Sequence, residues 1–249
     1  MAADRTSTGA RLSRLPAGLR LGGFFGLVRR LYREKPLGFV GFVIVAIMLV
    51  MAVFADFIAP YHYERSIFAD SLQSPNLKHW LGTDVQGRDL FSRLVYGARI
   101  SILVALGSVA LGSVLSAIIG ITSGYLGGKF DSAVQRFVDA FMSIPPLMLL
   151  IFVISVLGVS PVNLTIVLGI IAIRESRILR GSVLSIKEMP FIEAAKVNGA
   201  TTLRILVRHV LPNVMVPIII LASLRLGQII LIEASLSFIG YGVPPPFPS

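Results

Sequence analysis

Arg225 and Glu233 are the two charges in an otherwise apolar stretch near the end of this 249-residue chain. An ionisable residue inside a long apolar run is costly to bury, and it marks an ion or proton relay or an ion pair with another helix. On a helix these two would lie about 12 Å apart along the axis and about 80° apart around it, so they do not pair with each other as i, i+4 neighbours do. Each then needs a partner on another helix, in this chain or in a second subunit, unless it serves a relay. Enzymatic patterns are missing. Gly127, Gly128 and Lys129 resemble part of a phosphate loop, yet Ser123 stands where its first glycine belongs and Phe130 where Ser or Thr should follow. His62, His79 and His209 are scattered, with no zinc-protease helix motif and no serine elbow. There is no Cys, which excludes disulfides, thiolate metal sites and cysteine nucleophiles. No catalytic residue, resident metal or cofactor is expected.

The elements that hold these residues are apolar. Hydrophobic residues make up 55% of the chain and charged ones 14%, against about 25% charged in soluble domains. No Asp, Glu, Lys or Arg occurs in 36–55, 100–128 or 140–173, and runs of that length read as membrane spans. The expected fold is an all-α polytopic membrane protein with about five transmembrane helices. The first is 37–55, closed by Pro60 and too long for a cleaved signal peptide. The second is 100–125, with Gly107, Ser108, Gly112, Ser116 and Gly120 at near-helical spacing. Such a stripe lets a neighbouring backbone approach closely, although glycine is also simply tolerated in membrane helices. The stretch 140–173 breaks at Gly158, Val159, Ser160 and Pro161 and reads as a hairpin. Its first arm is 140–157, kinked at Pro145 and Pro146. Its second arm starts at 162 and must continue through Arg174, Glu175 and Arg177 to cross, with those charges snorkelling at the far interface. A fifth span runs over about 213–240.

Charge fixes the expected sides. Of the 23 Lys and Arg residues, 17 fall in 1–36, in the loop between the second and third spans and in 174–208; five fall in 65–99, and Arg225 is within a span. The positive-inside rule then places the N-terminus in the cytoplasm. The net charge of +10 is accounted for by that orientation, and no basic face interleaved with aromatics points to nucleic acid. The expected organisation is a basic cytoplasmic N-terminus over 1–36, a first span over 37–59, an extracytoplasmic loop over 60–99 and a transmembrane domain over 100–249. In the outward loop Gly82 and Gly87 are turn residues. Asp84, Arg88 and Asp89 either pair among themselves or meet an incoming protein, with the internal role favoured. Trp80 reads as an interfacial anchor.

The cytoplasmic segment between the last two spans has its own punctuation. Pro190 opens a short helix and Gly199 closes it. Thr201 or Thr202 caps a second helix, 203–210, which Pro212 is expected to stop at the membrane. Ala194 and Ala195 permit close contact with a partner, while Glu193 and Lys196 put charge at the rim. Taken alone, the segment could also be an amphipathic helix lying on the bilayer.

Glu193, Ala194 and Ala195, then Gly199, then Leu211 and Pro212 match the E-A-A-x3-G-x9-I-x-L-P spacing, with His209 in the usual Ile position. This resembles the EAA loop of binding-protein-dependent ATP-binding-cassette importers. Arg208 to Asn213 is similar to the dipeptide, oligopeptide and nickel branch of that family, as are Leu81-Gly82-Thr83-Asp84 with Gly87-Arg88-Asp89, Tyr96-Gly97-Ala98-Arg99, and Ser235-Leu236-Ser237-Phe238-Ile239-Gly240 before Gly242-Val243-Pro244-Pro245. The resemblance covers roughly 30–249. It implies a non-catalytic permease in a bacterial inner membrane, working with a second homologous permease, two cytoplasmic ATP-binding subunits that hydrolyse the ATP, and an extracytoplasmic substrate-binding protein. It also implies that Glu193, Ala194 and Ala195 dock on an ATP-binding subunit, Gly199 makes the turn, and Leu211 with Pro212 set the return into the bilayer. The cargo expected is a di- or oligopeptide, with nickel as the alternative within the branch. A self-contained secondary transporter or channel using Arg225 and Glu233 is the rival from another class, though no internal repeat of spans is present. Members of the family continue past the Gly-Val-Pro-Pro-Pro stretch into a further span. A chain ending at Ser249 is therefore expected to be a truncated permease that assembles poorly, or only with its partner's help.

Overall fold

The computed structural model describes residues 21–243, 247 and 248. Among them every regular element is helical, and the chain divides into two compact units, Met1–Ile47 and Met48–Ser249. Helix α1 (Leu21–Glu34) carries an Arg30–Glu34 pair at 2.9 Å, and α2 (Pro36–Val53) is apolar throughout. A short α3 (Ala55–Ile58) follows, and a turn-rich segment leads to α4 (Leu90–Leu126). That helix is longer than the charge-free run because Asp89 caps it, its carboxylate accepting the Ser92 amide at 2.8 Å. It ends at Gly127 and Gly128, both at positive φ, which turn the chain into α5 (Gly128–Ser143). The glycine-lysine motif is thus a helix–helix turn.

The hairpin of the sequence reading is present in altered form. Its first arm is α6 (Pro146–Leu157) alone, since 140–143 belong to α5, and α5 meets α6 at 83°. Pro145 and Pro146 cause the bend: a residue before proline is pushed out of the α region, and Ile144 and Pro145 are both extended. The second arm is α7 (Pro161–Ile171), a 3₁₀ turn (Ala172–Glu175) and α8 (Ser176–Lys187). Next come α9 (Pro190–Val197), α10 (Thr202–Ile205), a π-helical turn (Leu206–Val210) and α11 (Leu211–Phe238).

Pro212 does not stop the chain at the membrane. The wider turn before it places the Leu211 amide on the Leu206 carbonyl, five residues back, so the helix passes Pro212 and runs on as a single 37-residue stretch, Thr202–Phe238. Among the described residues three helices are long and apolar enough to cross a membrane: Pro36–Val53, Leu90–Leu126 and Thr202–Phe238. The bent pair α5–α6 makes up to four. A count of five would need the interrupted run of α7 and α8 as a further crossing.

Helix α4 is the central post, flanked by α7, α8 and α11. Its small residues face the α7–α8 run. A β-carbon at Gly120 would lie 2.6 Å from the Ser176 carbonyl oxygen and 2.9 Å from Leu179 Cβ, so close approach is what the stripe provides. Two apolar clusters lie along the post. One joins Val104 and Ala105 to Leu150, Leu164, Leu168, Ile229 and Leu236. The other joins Ile121 and Tyr125 to Leu179, Val183, Ile192, Ile205, Val210 and Val214.

Candidate functional site

Helix α9 is built as its residues dictate. Pro190 occupies the first turn, where its missing amide costs nothing. Gly199, at φ +75°, donates to Lys196 O at 2.9 Å, and Ala200 donates to Ala195 O at 3.0 Å. These two bonds form a Schellman closure. A β-carbon at Gly199 would meet nothing within 4 Å, so backbone conformation, not space, requires glycine here. Thr201 then caps α10 by accepting the Arg204 amide at 3.4 Å.

Of the expected docking residues, Glu193 and Ala194 are exposed and Ala195 is half-buried. Leu211 packs on the cluster that contains Ile192 and Val214, while Pro212 is exposed at the first turn of α11. The sequence reading missed the anchor. Ile192, beside Glu193, is fully buried with Tyr125 of α4, Leu179 of α8 and Val214 of α11. Lys196 lies 5.8 Å from the Tyr125 ring centroid and Lys187 5.9 Å from it, adding cation–π contacts to the same joint. Five of the eight residues of Pro190–Val197 are apolar (Phe191, Ile192, Ala194, Ala195 and Val197), and in so short a helix periodicity cannot single out the buried one.

The intramembrane charges are placed differently from one another. Arg225 forms an ion pair with Glu175 in the 3₁₀ turn, and its Nη2 donates to the Leu168 carbonyl at 3.1 Å. Its partner is therefore in this chain. Glu233 is 3% exposed beside the Ile229 and Leu236 cluster, with the Ser101 side chain of α4 as its polar neighbour. The two residues are not brought together.

The charges expected to snorkel near the end of the second hairpin arm are engaged by protein instead. Arg174 donates to the carbonyls of Phe141 (3.2 Å), Met142 (3.3 Å) and Ile144, closing the C-terminal end of α5 at its bend. Arg177 pairs with Asp139 at 2.8 Å, and Arg180 grips Asp131 with two bonds of 2.6 and 2.5 Å. Arginines three residues apart thus fasten α5 along α7–α8. The Arg180 bonds hold the Asp131 carboxyl below the usual carboxylate range.

In the 60–99 segment, Asp84, Arg88 and Asp89 take the internal role. Arg88 Nε meets Asp84 at 2.6 Å, and Asp89 accepts from Ser92 while pairing with the buried His79 at 2.9 Å. Burial works against ionisation of Asp84, but bonds from Arg88 and the Gln86 amide outweigh it and hold this carboxyl low. Trp80, 57% exposed, tilts against Phe91 with ring centroids 5.0 Å apart. Arg99 closes the end of α2 through the Ala52 carbonyl (2.8 Å) and grips Asp56 (2.9 Å).

Comparison with known proteins agrees with this architecture. The family described as binding-protein-dependent transport system inner membrane component matches residues 116–246. The N-terminal TM domain of oligopeptide transport permease C matches 23–75. The dipeptide transport system permease protein DppC of Alkalihalophilus pseudofirmus is 36% identical over 217 residues, covering 87% of this chain and 71% of that protein. The glutathione transport system permease protein GsiD of Escherichia coli O6:K15:H31 is 37% identical over 221 residues, covering 88% and 73%. GsiD of Shigella boydii matches to the same extent. The chain belongs to the binding-protein-dependent transport system inner membrane component family, as a multi-pass permease of ATP-binding-cassette importers of the peptide type.

Proposed function

We propose that this chain is one of two permease subunits lining the path of a di- or oligopeptide importer, and that α9 receives the stroke of a cytoplasmic ATP-binding subunit. The observation that carries the reading is Ile192. Its side chain is fully buried in one cluster with α4, α8 and the start of α11, so a force on the exposed Glu193–Ala194 face moves three long elements together. Peptide cargo is favoured over nickel because the relatives named for their cargo are dipeptide and glutathione permeases. The N-terminus and α9 lie in the cytoplasm on the balance of Lys and Arg, 60–99 faces outward, and a second permease, two ATP-binding subunits and a substrate-binding protein complete the importer. ATP is hydrolysed by the partners. Arg225 has a structural role through Glu175, which weighs against a relay in a self-contained carrier.

The test uses Gly199→Val and Glu193→Lys. The first places a β-branched residue at φ +75°, and the second reverses charge on an exposed face. Both should leave membrane insertion intact and lower ATP-driven uptake of a labelled dipeptide, together with recovery of the co-expressed ATP-binding subunits. Wild-type uptake and full recovery with both variants would refute the coupling role.

A further inference from the structure

Behind the exposed edge of α9 lies a notch of about 460 Å³. One wall is formed by Phe191, Ala194, Ala195 and Asn198, which share a helix face at i, i+3, i+4 and i+7. The opposite wall is Ala200, from the turn after α9, with Arg204, Arg208 and His209 from α10 and the π-helical turn. The two alanines are what leave the space, since longer side chains at 194 and 195 would fill it from within.

The charge in this notch is one-sided. No carboxylate lines it, and Glu193 lies outside. Arg204 and Arg208 are exposed and have no ion pair among the described residues. The arginines of the neighbouring α8 behave otherwise: Arg177 and Arg180 each hold an aspartate of α5. Like charges four residues apart on a helix repel, so the notch holds two guanidinium groups and an imidazole together with no carboxylate among the described residues paired to them.

We propose that the notch receives an acidic side chain of the ATP-binding subunit that docks on α9. This rests on the docking role proposed above and names the chemistry of the contact. A carboxylate there accepts charge-assisted hydrogen bonds from Arg204 and Arg208, while its methylene groups lie against Ala194 and Phe191. The alanine pair then has a second purpose. Besides letting the partner come close to the helix, it opens a socket into which the partner inserts a side chain. Charge complementarity selects an anion, and the exposed Ala194 on the docking face selects a protein side chain over a lipid headgroup. The nearby apolar groove suited to an acyl chain is formed by Val114, Ile118, Leu203, Val207 and Leu211. Leu203, Val207 and Leu211 belong to the other flank of the same segment, Val114 and Ile118 to α4, and none of them lines the notch.

The experiment is a zero-length cross-link in the complex assembled by co-expression. Arg208→Lys supplies an amine, and a carbodiimide then joins it to any carboxylate in contact. Lys187 and Lys196 give the background, subtracted with the wild type. A cross-link to an Asp or Glu of the ATP-binding subunit is expected, dependent on Arg208→Lys and lost when Ala194→Leu fills the notch. In parallel, Arg204→Gln with Arg208→Gln should weaken recovery of the ATP-binding subunit about tenfold or more, with the melting temperature of the permease unchanged because both side chains are exposed. Undiminished recovery with the double variant and no specific cross-link would overturn the proposal while leaving docking on α9 intact. Phospholipid retained by the wild type and lost by the double variant, with ATP-binding subunits still bound, would assign the notch to a headgroup and also overturn it. Failure of the wild type itself to retain ATP-binding subunits would instead defeat the docking role, and this inference with it.

Discussion

Replacing Gly120 by alanine adds one methyl group where α4 lies close against α8. The new β-carbon would sit 2.6 Å from the Ser176 carbonyl oxygen, 2.9 Å from Leu179 Cβ and 3.2 Å from the Arg180 amide nitrogen. Two of these atoms are backbone and the third is the root of a side chain, so none can swing aside. Restoring ordinary contact requires the helices to part by roughly 0.7 Å, and overpacking of this kind costs about 1–3 kcal/mol. Alanine also gains about 1 kcal/mol over glycine in helix propensity, which would mask part of the loss. Gly181→Ala isolates that gain, because a β-carbon at Gly181 on α8 meets nothing within 4 Å. The difference between the two variants is the steric cost, and at about 2–4 °C per kcal/mol for a chain of this size it amounts to roughly 2–12 °C in melting temperature. The assay is thermal unfolding of the purified permease in detergent, following aggregation or tryptophan fluorescence. Equal melting temperatures for Gly120→Ala and Gly181→Ala would show that the α4–α8 contact does not depend on the missing side chain.

Three further outcomes are expected. Glu175→Gln leaves the Arg225 guanidinium without its partner and should cost about 3–5 kcal/mol, whereas Glu175→Met with Arg225→Met should cost markedly less; comparable unfolding midpoints for the single and double variants would contradict this. Asp131 has a folded pKa below its ordinary value, so the stability it contributes is fully present above about pH 4 and is lost as pH falls through the folded value. Asp131→Asn should therefore lower stability at pH 7 by roughly 1–3 kcal/mol and flatten the decline of the melting midpoint below about pH 4, which a pH series of melts will read. Finally, the chain has no native cysteine, so Ser74→Cys should react with an impermeant maleimide from outside and Ser185→Cys only after permeabilisation; the reverse pattern would invert the topology.

The parts of the fold read correctly from sequence are those governed by local rules. Charge-free runs located α2 and α4, and a run interrupted by only Arg225 and Glu233 located the apolar length of α11, because lipid tolerates few charges over a span. Pro190, Gly199 and Thr201 located the loop because each has one conformational use there. What escaped depends on partners distant in sequence. Most of helix α5 read as the loop between the second and third spans, since its aspartates gain meaning only against Arg177 and Arg180, some 40–50 positions later. Arg174, Glu175 and Arg177 were assigned to the interface for the same reason: snorkelling and an internal partner look alike until the neighbouring helix is in view. Pro212 misled differently. A proline ordinarily ends a helix by lacking an amide, but a π-helical turn changes which carbonyl each amide needs. Burial of Ile192 and of Glu233 likewise follows from tertiary packing, with no trace in local pattern.

Passage of the helix through Pro212 has a mechanical consequence. Had the chain broken there, movement of α9 would be absorbed at a joint, and α11 would answer weakly. Because Thr202–Phe238 is a single helix of 37 residues, it is a lever about 55 Å long. A tilt of about 10° at the loop end sweeps the far end through roughly 10 Å, about the diameter of a helix. Arg225, held to Glu175 partway along, stands where a fulcrum would.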